Sequence, residues 1–400
     1  MAPRIGPTRI GISGTGFIAS GLARLLRKRN DLPVTAVLTR RPMNRRRVEE
    51  FRHALTTSID ELVARSDLII ECSGDVDLAC AVVDAAFDAG LPVVTMNAEF
   101  QVTAGSRFVG RGRMSEAAGD QPGCLAALSE EIRTMGFTPL VYGSRKGFLN
   151  LNPEPETMMH WAERQGISLR RVVSFTDGTK VQIEHALVAN GLGADIATSG
   201  LLGPQRNSLG DGAVTLAAAA RTLGRAVSDY VLAPGGSGEV FIVASHADEH
   251  ADALRYLKLG AGPDYLIVRP FHLAYFEIVS TIDRVRAGRP ALLDNGLFPR
   301  IGVAAVAKRP LKRGEILPFG VGSFDVRGIA VPIADYPDHI PIGLIRDCEV
   351  LHSVEPGQML TADDIVVPET AAGAAWAMIL AGSRIAYPAS PTRPDRAAVA

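Results

Sequence analysis

The chain has 400 residues, of which 47% are hydrophobic and 21% charged, and its 42 Lys and Arg balance 43 Asp and Glu to a net charge of −1. That is enough apolar material for two or three domains with sizeable cores, and the balance gives no support for a nucleic-acid or membrane-surface footprint. Cys72, Cys80, Cys124 and Cys348 are scattered, with no C-x-x-C or zinc spacing, so a reduced, cytoplasmic setting is expected.

Residues 8–13 predict a short strand, followed by a glycine turn and a helix start. Gly14-Thr15-Gly16-Phe17-Ile18-Ala19 fits the G-x-G-x-x-A dinucleotide fingerprint. Gly14 allows the tight turn, Gly16 the approach of a pyrophosphate, and Ala19 the close packing of helix on strand. The fingerprint assigns residues 1–20 to the fold and not to a signal peptide. Leu22, Leu25 and Leu26 continue an apolar helical face, and residues 33–39 predict the second strand. At its end stand Arg40 and Arg41, with Arg45, Arg46 and Arg47 beyond and no carboxylate. Arginine there suits a ribose 2′-phosphate, so NADP is favoured over NAD.

Strands are predicted at 67–72 and 92–97, with a helix over 79–89 between them. This alternation gives a doubly wound parallel sheet. Ligands bind outside the carboxyl ends of such strands, which brings Ser73, Gly74, Asn97 and Glu99 to the nicotinamide half of the crevice.

Beyond residue 120 the pattern changes. Strands are predicted at 139–143, 171–175, 239–244 and 265–269, helices at 181–190 and 276–286, and a loop at 203–212. Residues 300–368 break into short strands punctuated by Pro and Gly. The run 371–382 is apolar but too short to span a bilayer, and 387–400 reads as a disordered tail. The expected architecture is α/β: a Rossmann domain over 1–120, an α+β substrate domain over 121–299, a β-rich module over 300–368, and a C-terminal helix and tail over 369–400.

Hydride transfer requires groups that hold and polarise a carbonyl beside the nicotinamide. Candidates follow the predicted strand ends: Lys146, Asp177 with Lys180 and Glu184, and His272. Arg145 and Arg269 are candidates for a phosphate or carboxylate. Asp177 and Glu184 are candidates for a divalent metal, with helix capping the plainer reading of Asp177. His246 and His250 are four apart without a metal-site context, and no G-x-S-x-G elbow or H-E-x-x-H spacing occurs.

Val93-Val94-Thr95-Met96-Asn97 resembles the homoserine dehydrogenase strand that ends in Thr-Ala-Asn-Lys, with Ala98, followed by Glu99, where the family places its lysine. A wider resemblance covers nearly the whole chain. Gly119-Asp120-Gln121-Pro122, Asp177-Gly178-Thr179-Lys180 with Glu184 and Ala189-Asn190, Pro270-Phe271-His272-Leu273 and Val303 to Arg309 are similar to the DXR-like (DRL) oxidoreductases. Leu311-Lys312-Arg313-Gly314-Glu315 and Glu355-Pro356-Gly357-Gln358 look like a SAF domain. The resemblance implies an NADPH-dependent reductase of a small, phosphorylated polyol or sugar-like compound. Some DRL members convert 1-deoxy-D-xylulose 5-phosphate to 2-C-methyl-D-erythritol 4-phosphate, a rearrangement followed by carbonyl reduction. A homoserine-type dehydrogenase and a SAF-type sugar-acid lyase or binding protein remain the alternatives. A small-molecule substrate and a homo-oligomer are expected partners, with no nucleic acid and no membrane.

Overall fold

The computed structural model describes residues 6–40, 53–236 and 238–387. Arg41, Arg45 to Arg47 and the tail beyond residue 387 lie outside the described residues.

The N-terminal part alternates β1 (Ile10–Ser13), α1 (Phe17–Leu26), β2 (Val34–Leu38), β3 (Leu55–Thr56), α2 (Ile59–Ala64), β4 (Leu68–Glu71), α3 (Val76–Asp88), β5 (Val93–Thr95), α4 (Ala98–Ala104) and β6 (Met114–Glu116). Its strands form one parallel sheet in the order β3-β2-β1-β4-β5-β6. The order reverses between β1 and β4, and the ligand crevice of a doubly wound sheet opens at that point. β1 and β4 are buried along their whole length, as strands covered on both faces must be. Leu22 and Leu26 of α1 pack on Ile10 and Ile12. Each such side chain contributes about 1.5–3 kcal/mol when fully buried.

The second part runs through α5 (Gln121–Thr134), β7 (Thr138–Lys146), α6 (Pro155–Gln165), α7 (Leu169–Thr176), α8 (Thr179–Leu192), α9 (Leu209–Leu223), β8 (Val227–Leu232), β9 (Val240–Ser245), α10 (Ala251–Tyr256), β10 (Asp264–Arg269) and α11 (Ile278–Arg286). A mixed sheet in the order β10-β9-β7-β8 carries it. α5 and α8 cover one face and α9 the other. α11 returns to the first sheet, where Ile278, Ile282 and Val285 join the α1 core.

Two expectations fail here. Residues 171–175 form part of the helix α7, not a strand. Their Val and Phe favour strands in isolation, but Val172 and Val173 bury against Met158 and Ala162 of α6, and this packing selects the helix. The loop expected at 203–212 ends early, because Ser208 caps α9 by accepting from the Asp211 N–H. The first segment shows tertiary packing overriding local propensity, and the second a local helix-cap signal, Ser208 three residues before Asp211.

The third part comprises β11 (Ile301–Ala307), β12 (Ile316–Leu317), β13 (Val326–Pro332), β14 (Cys348–Val350), β15 (Ile365–Val366) and α12 (Ala371–Ala386). β11 pairs antiparallel with β13, and β12-β14-β15 form a small sheet. None of these strands enters the parallel sheet. Ala304, Val306, Ile329, Val331, Tyr336 and Met359 form a small core of their own. The remaining apolar residues merge into one core with α8, α3 and α4. The module thus packs on the second part and also reaches the nucleotide-type domain, where the Ala372 N–H donates to Asp77 on α3 at 3.1 Å.

Candidate active site

A cleft of about 2250 Å³ opens between the carboxyl ends of the parallel strands and the second part. Its floor is the fingerprint loop. Gly14 has φ +116°, and a Cβ there would come within 3.0 Å of the Cys72 carbonyl oxygen. Only glycine adopts that conformation without strain. Gly16 is different: a Cβ on it would meet nothing within 4 Å. Its open side faces the cleft, where Thr15, Phe17 and Ile18 also lie. No side chain caps α1 at Gly16, whereas Ser58, Asp75 and Asn97 cap α2, α3 and α4. The first N–H groups of α1 therefore point at the cleft as anion donors. Ala19 is fully buried and holds α1 close to the sheet. These features fit a dinucleotide pyrophosphate.

Glu71 braces the neighbouring loop from below. It accepts from the Ser73 N–H at 2.9 Å, the Ser73 hydroxyl at 2.5 Å and the Thr95 hydroxyl at 3.1 Å. Ser73 and Gly74 line the cleft on this brace. Asn97 caps α4 by accepting from the Phe100 N–H at 3.1 Å, and it faces the cleft with Glu99. Burial pushes the Glu99 carboxyl up to about 7, against the opposing pull of Arg170 and Lys180. Arg40 follows β2 as expected and pairs with Asp75 at 2.9 Å.

Across the cleft, α8 presents Lys180 and Glu184 one turn apart. Lys180 Nζ donates to Asp120 Oδ2 at 2.8 Å and lies 3.2 Å from Glu184 Oε1. Lys146, the last residue of β7, places Nζ 2.9 Å from Gln121 Oε1 and 3.7 Å from Glu184 Oε2. Two ammonium groups thus share one carboxylate whose side chain is only 4% exposed. Their environments diverge. Burial would lower Lys180, but Asp120 and Glu184 outweigh it and hold the ammonium firmly protonated. Lys146 is lowered, because burial exceeds the help of Glu184 and Asp120 and Lys180 repels it. One lysine is a fixed cation and the other a readier proton donor.

His272 lines the same cleft, with Nδ1 2.7 Å from the Gly238 carbonyl. The segment between β10 and α11 that carries it, residues 270–277, forms a strap tied to the floor by Tyr275, whose ring lies against Gly21 of α1 and edge-on to Phe17 at 5.6 Å. A side chain at Gly21 would collide with that ring.

Lys146, Lys180 and Glu184 therefore meet, and His272 lines the same cleft near enough to Asp120 to act on its carboxylate, although Lys180 follows a helix and a glycine turn, not a strand. Asp177 stays apart. It is fully buried in an ion pair with Lys308 of β11–β13's module at 2.6 Å, and it accepts from the Thr179 N–H at 2.9 Å. Its place is a joint between α7, α8 and the C-terminal module, outside the residues that line the cleft. Arg145 and Arg269 are likewise engaged, by Glu239 and Glu277. Among the described residues no group of three or more His, Cys, Asp or Glu is placed to hold a metal ion. His246 and His250 simply stack edge to face at 4.9 Å.

Asp120 and Gln121, which hold the two lysines, escaped the candidate set. Asp120 caps α5, and an Asp directly before Gln-Pro is a helix-start signal. That signal marks a cap, and nothing in it marks the salt bridge to a lysine sixty residues away.

Residues 119–278 match the catalytic domain of oxidoreductase DRL, and residues 14–107 match the NAD-binding domain of homoserine dehydrogenase. No curated protein matches the chain. Solved structures with a similar fold include a UDP-N-acetylglucosamine 3-dehydrogenase from Acidithiobacillus ferrooxidans, 13% identical over 72% of this chain and 92% of its own, with a TM-score of 0.42. A homoserine dehydrogenase of a hyperthermophilic archaeon, in complex with NADPH, is 12% identical over 72% of this chain and 99% of its own, with a TM-score of 0.36. The homoserine dehydrogenase of S. aureus is 12% identical over 70% and 76%, with a TM-score of 0.38.

Proposed function

Because the chain is an NAD(P)-dependent oxidoreductase of the DRL and homoserine-dehydrogenase-like type, we propose that it reduces the carbonyl of a small phosphorylated polyol or sugar-like compound with NADPH. A reductoisomerase acting on 1-deoxy-D-xylulose 5-phosphate is the specific form of this reading. In it the C-terminal β module is SAF-like. The observation that carries the reading is the pair of unequal lysines on Glu184, facing the fingerprint loop across one cleft.

The reduced nicotinamide supplies the hydride when bound. The protein supplies the rest. Negative charge grows on the substrate oxygen as the carbonyl carbon is reduced, and a preorganised cation stabilises it without reorganisation. Lys180, held by Asp120 and Glu184, is that cation. Lys146, the weaker base, gives its proton to the oxygen, and Glu184 keeps the resulting amine in place. His272 closes the site from the strap over α1. The same cations stabilise the enolate-like charge that a skeletal rearrangement develops. Arg170 and Arg171 of α7 line the cleft as well, and their guanidinium forks suit a substrate phosphate.

The homoserine-type alternative is disfavoured at one position: Ala98, followed by Glu99, stands where that family places lysine. Loss of NADPH absorbance with 1-deoxy-D-xylulose 5-phosphate, against NADP reduction with homoserine, tests the two readings side by side. Turnover of homoserine alone would overturn the proposal.

A further inference from the structure

Arg346 lies in the C-terminal module, 271 residues from Asp75, yet it reaches into the cleft and pairs with that carboxylate. Arg40, at the end of β2, contacts the same oxygen, Asp75 Oδ2, at 2.9 Å. Two guanidinium groups from opposite ends of the chain are thus gathered on one atom. We propose that Arg346 and Arg40 together receive the ribose 2′-phosphate of the dinucleotide, so that the C-terminal module sets the choice between NADPH and NADH. This rests on the NADPH reading above.

Asp75 is a fixed post. Its side chain is 4% exposed, and Oδ1 accepts from the Leu78 N–H at 2.9 Å as the cap of α3. Burial alone would raise its carboxyl, but the Arg346 hydrogen bond, the Leu78 N–H and Arg40 hold it below the ordinary carboxylate range. The anion therefore persists at neutral pH and keeps both guanidinium groups in place. Arg346 is steadied further by Asp77, 3.5 Å from Nη1, and Asp77 is itself held by the N-terminus of α12.

The two arginines remain 58% and 44% exposed, and both line the cleft. A guanidinium carries five N–H donors, more than one shared carboxylate oxygen can take. Two forks that meet on a single oxygen are spaced to bracket a single phosphate group. The location fits too. The end of β2 is where the adenosine ribose of a dinucleotide lies, and Arg40, Asp75 and Leu78 line the cleft with Arg346. Asp75 preorganises the pair, which lowers the cost of ordering two long side chains when the phosphate arrives.

Titration calorimetry on the full chain tests this with NADPH, NADH, 2′,5′-ADP and 5′-ADP as probes. Arg346→Ala weakens NADPH and 2′,5′-ADP by about tenfold to a hundredfold, the loss of one charged hydrogen-bonding group. NADH and 5′-ADP are unaffected, and Arg346→Lys restores part of the loss. Because Arg346→Ala also removes a bridge between domains, Arg346→Gln provides a second, milder variant with the same expected discrimination. A wild-type preference for NADPH that survives both variants overturns the proposal and leaves the NADPH reading intact. Equal weakening of NADPH and NADH does the same. A wild-type protein that binds NADH as tightly as NADPH overturns both.

Discussion

Lys180 Nζ stands 2.8 Å from Asp120 Oδ2, joining the second residue of α8 to the cap of α5 in the lining of the cleft. Asp120 thus keeps the Lys180 ammonium charged and aimed, and Glu184 completes the grip from the same helix. Lys180→Met removes the cation while conserving much of the stem. We expect kcat to fall by about 10²–10³-fold, as when one preorganised charge-stabilising donor is lost. NADPH affinity should stay unchanged, read by fluorescence titration. An unaltered kcat removes Lys180 from the chemistry.

Gly16 offers a cleaner test of the cofactor floor than Gly14. Gly14→Ala introduces strain at φ +116° and a contact with the Cys72 carbonyl, so it costs stability whatever binds. A Cβ on Gly16 meets no protein atom, so Gly16→Ala should fold with an unchanged Tm. It should still weaken both NADPH and NADH, because the added methyl stands where the pyrophosphate approaches. Calorimetric Kd values check this, and wild-type affinity would place the pyrophosphate elsewhere.

Asp177 serves stability. Asp177→Ala leaves the buried Lys308 ammonium without its partner, and breaking a buried pair from one side costs about 3–5 kcal/mol. Chemical denaturation should show that loss, while the variant that remains folded keeps its kcat. Replacing both partners by apolar residues of similar size should recover much of the stability. A fall in kcat with unchanged stability would return Asp177 to the catalytic set.

Glu99 gives a pH dependence with a defined sign. Burial raises its carboxyl from the ordinary 4.5 to about 7, so the folded chain holds this proton more tightly than the unfolded chain. Its share of the stability is therefore present below the unfolded value and is lost as pH rises from about 4.5 to about 7. Each unit of difference is worth about 1.4 kcal/mol. Glu99→Gln should flatten that part of the stability profile and make the protein more stable than wild type above neutrality. An identical slope in the variant would contradict the proton-holding state of this half-buried carboxyl.

Much of the first domain was legible because its signals are local. The fingerprint, the strand of residues 33–39 and the helix after Gly74 each lie within a few residues of the feature that dictates them. Val172 and Val173 were misjudged because their strand propensity is local while their helical packing on Met158 is not. Asp177 and Lys180 looked equivalent in one short motif, yet the turn at Gly178, with φ +82°, sends one side chain toward Lys308 and the other into the cleft. The bond from Lys180 to Asp120 and the meeting of Arg346 with Arg40 depend on chain crossings that no periodicity encodes.

The most direct test of the account is isotope transfer from NADPH carrying deuterium at the transferable C4 position, incubated with 1-deoxy-D-xylulose 5-phosphate and the full chain. The account predicts one deuterium on the reduced carbon of the product for each NADPH consumed, and loss of that transfer in Lys180→Met at unchanged NADPH affinity. A protein that binds NADPH but passes no deuterium to the compound, while reducing NADP with homoserine, would contradict it.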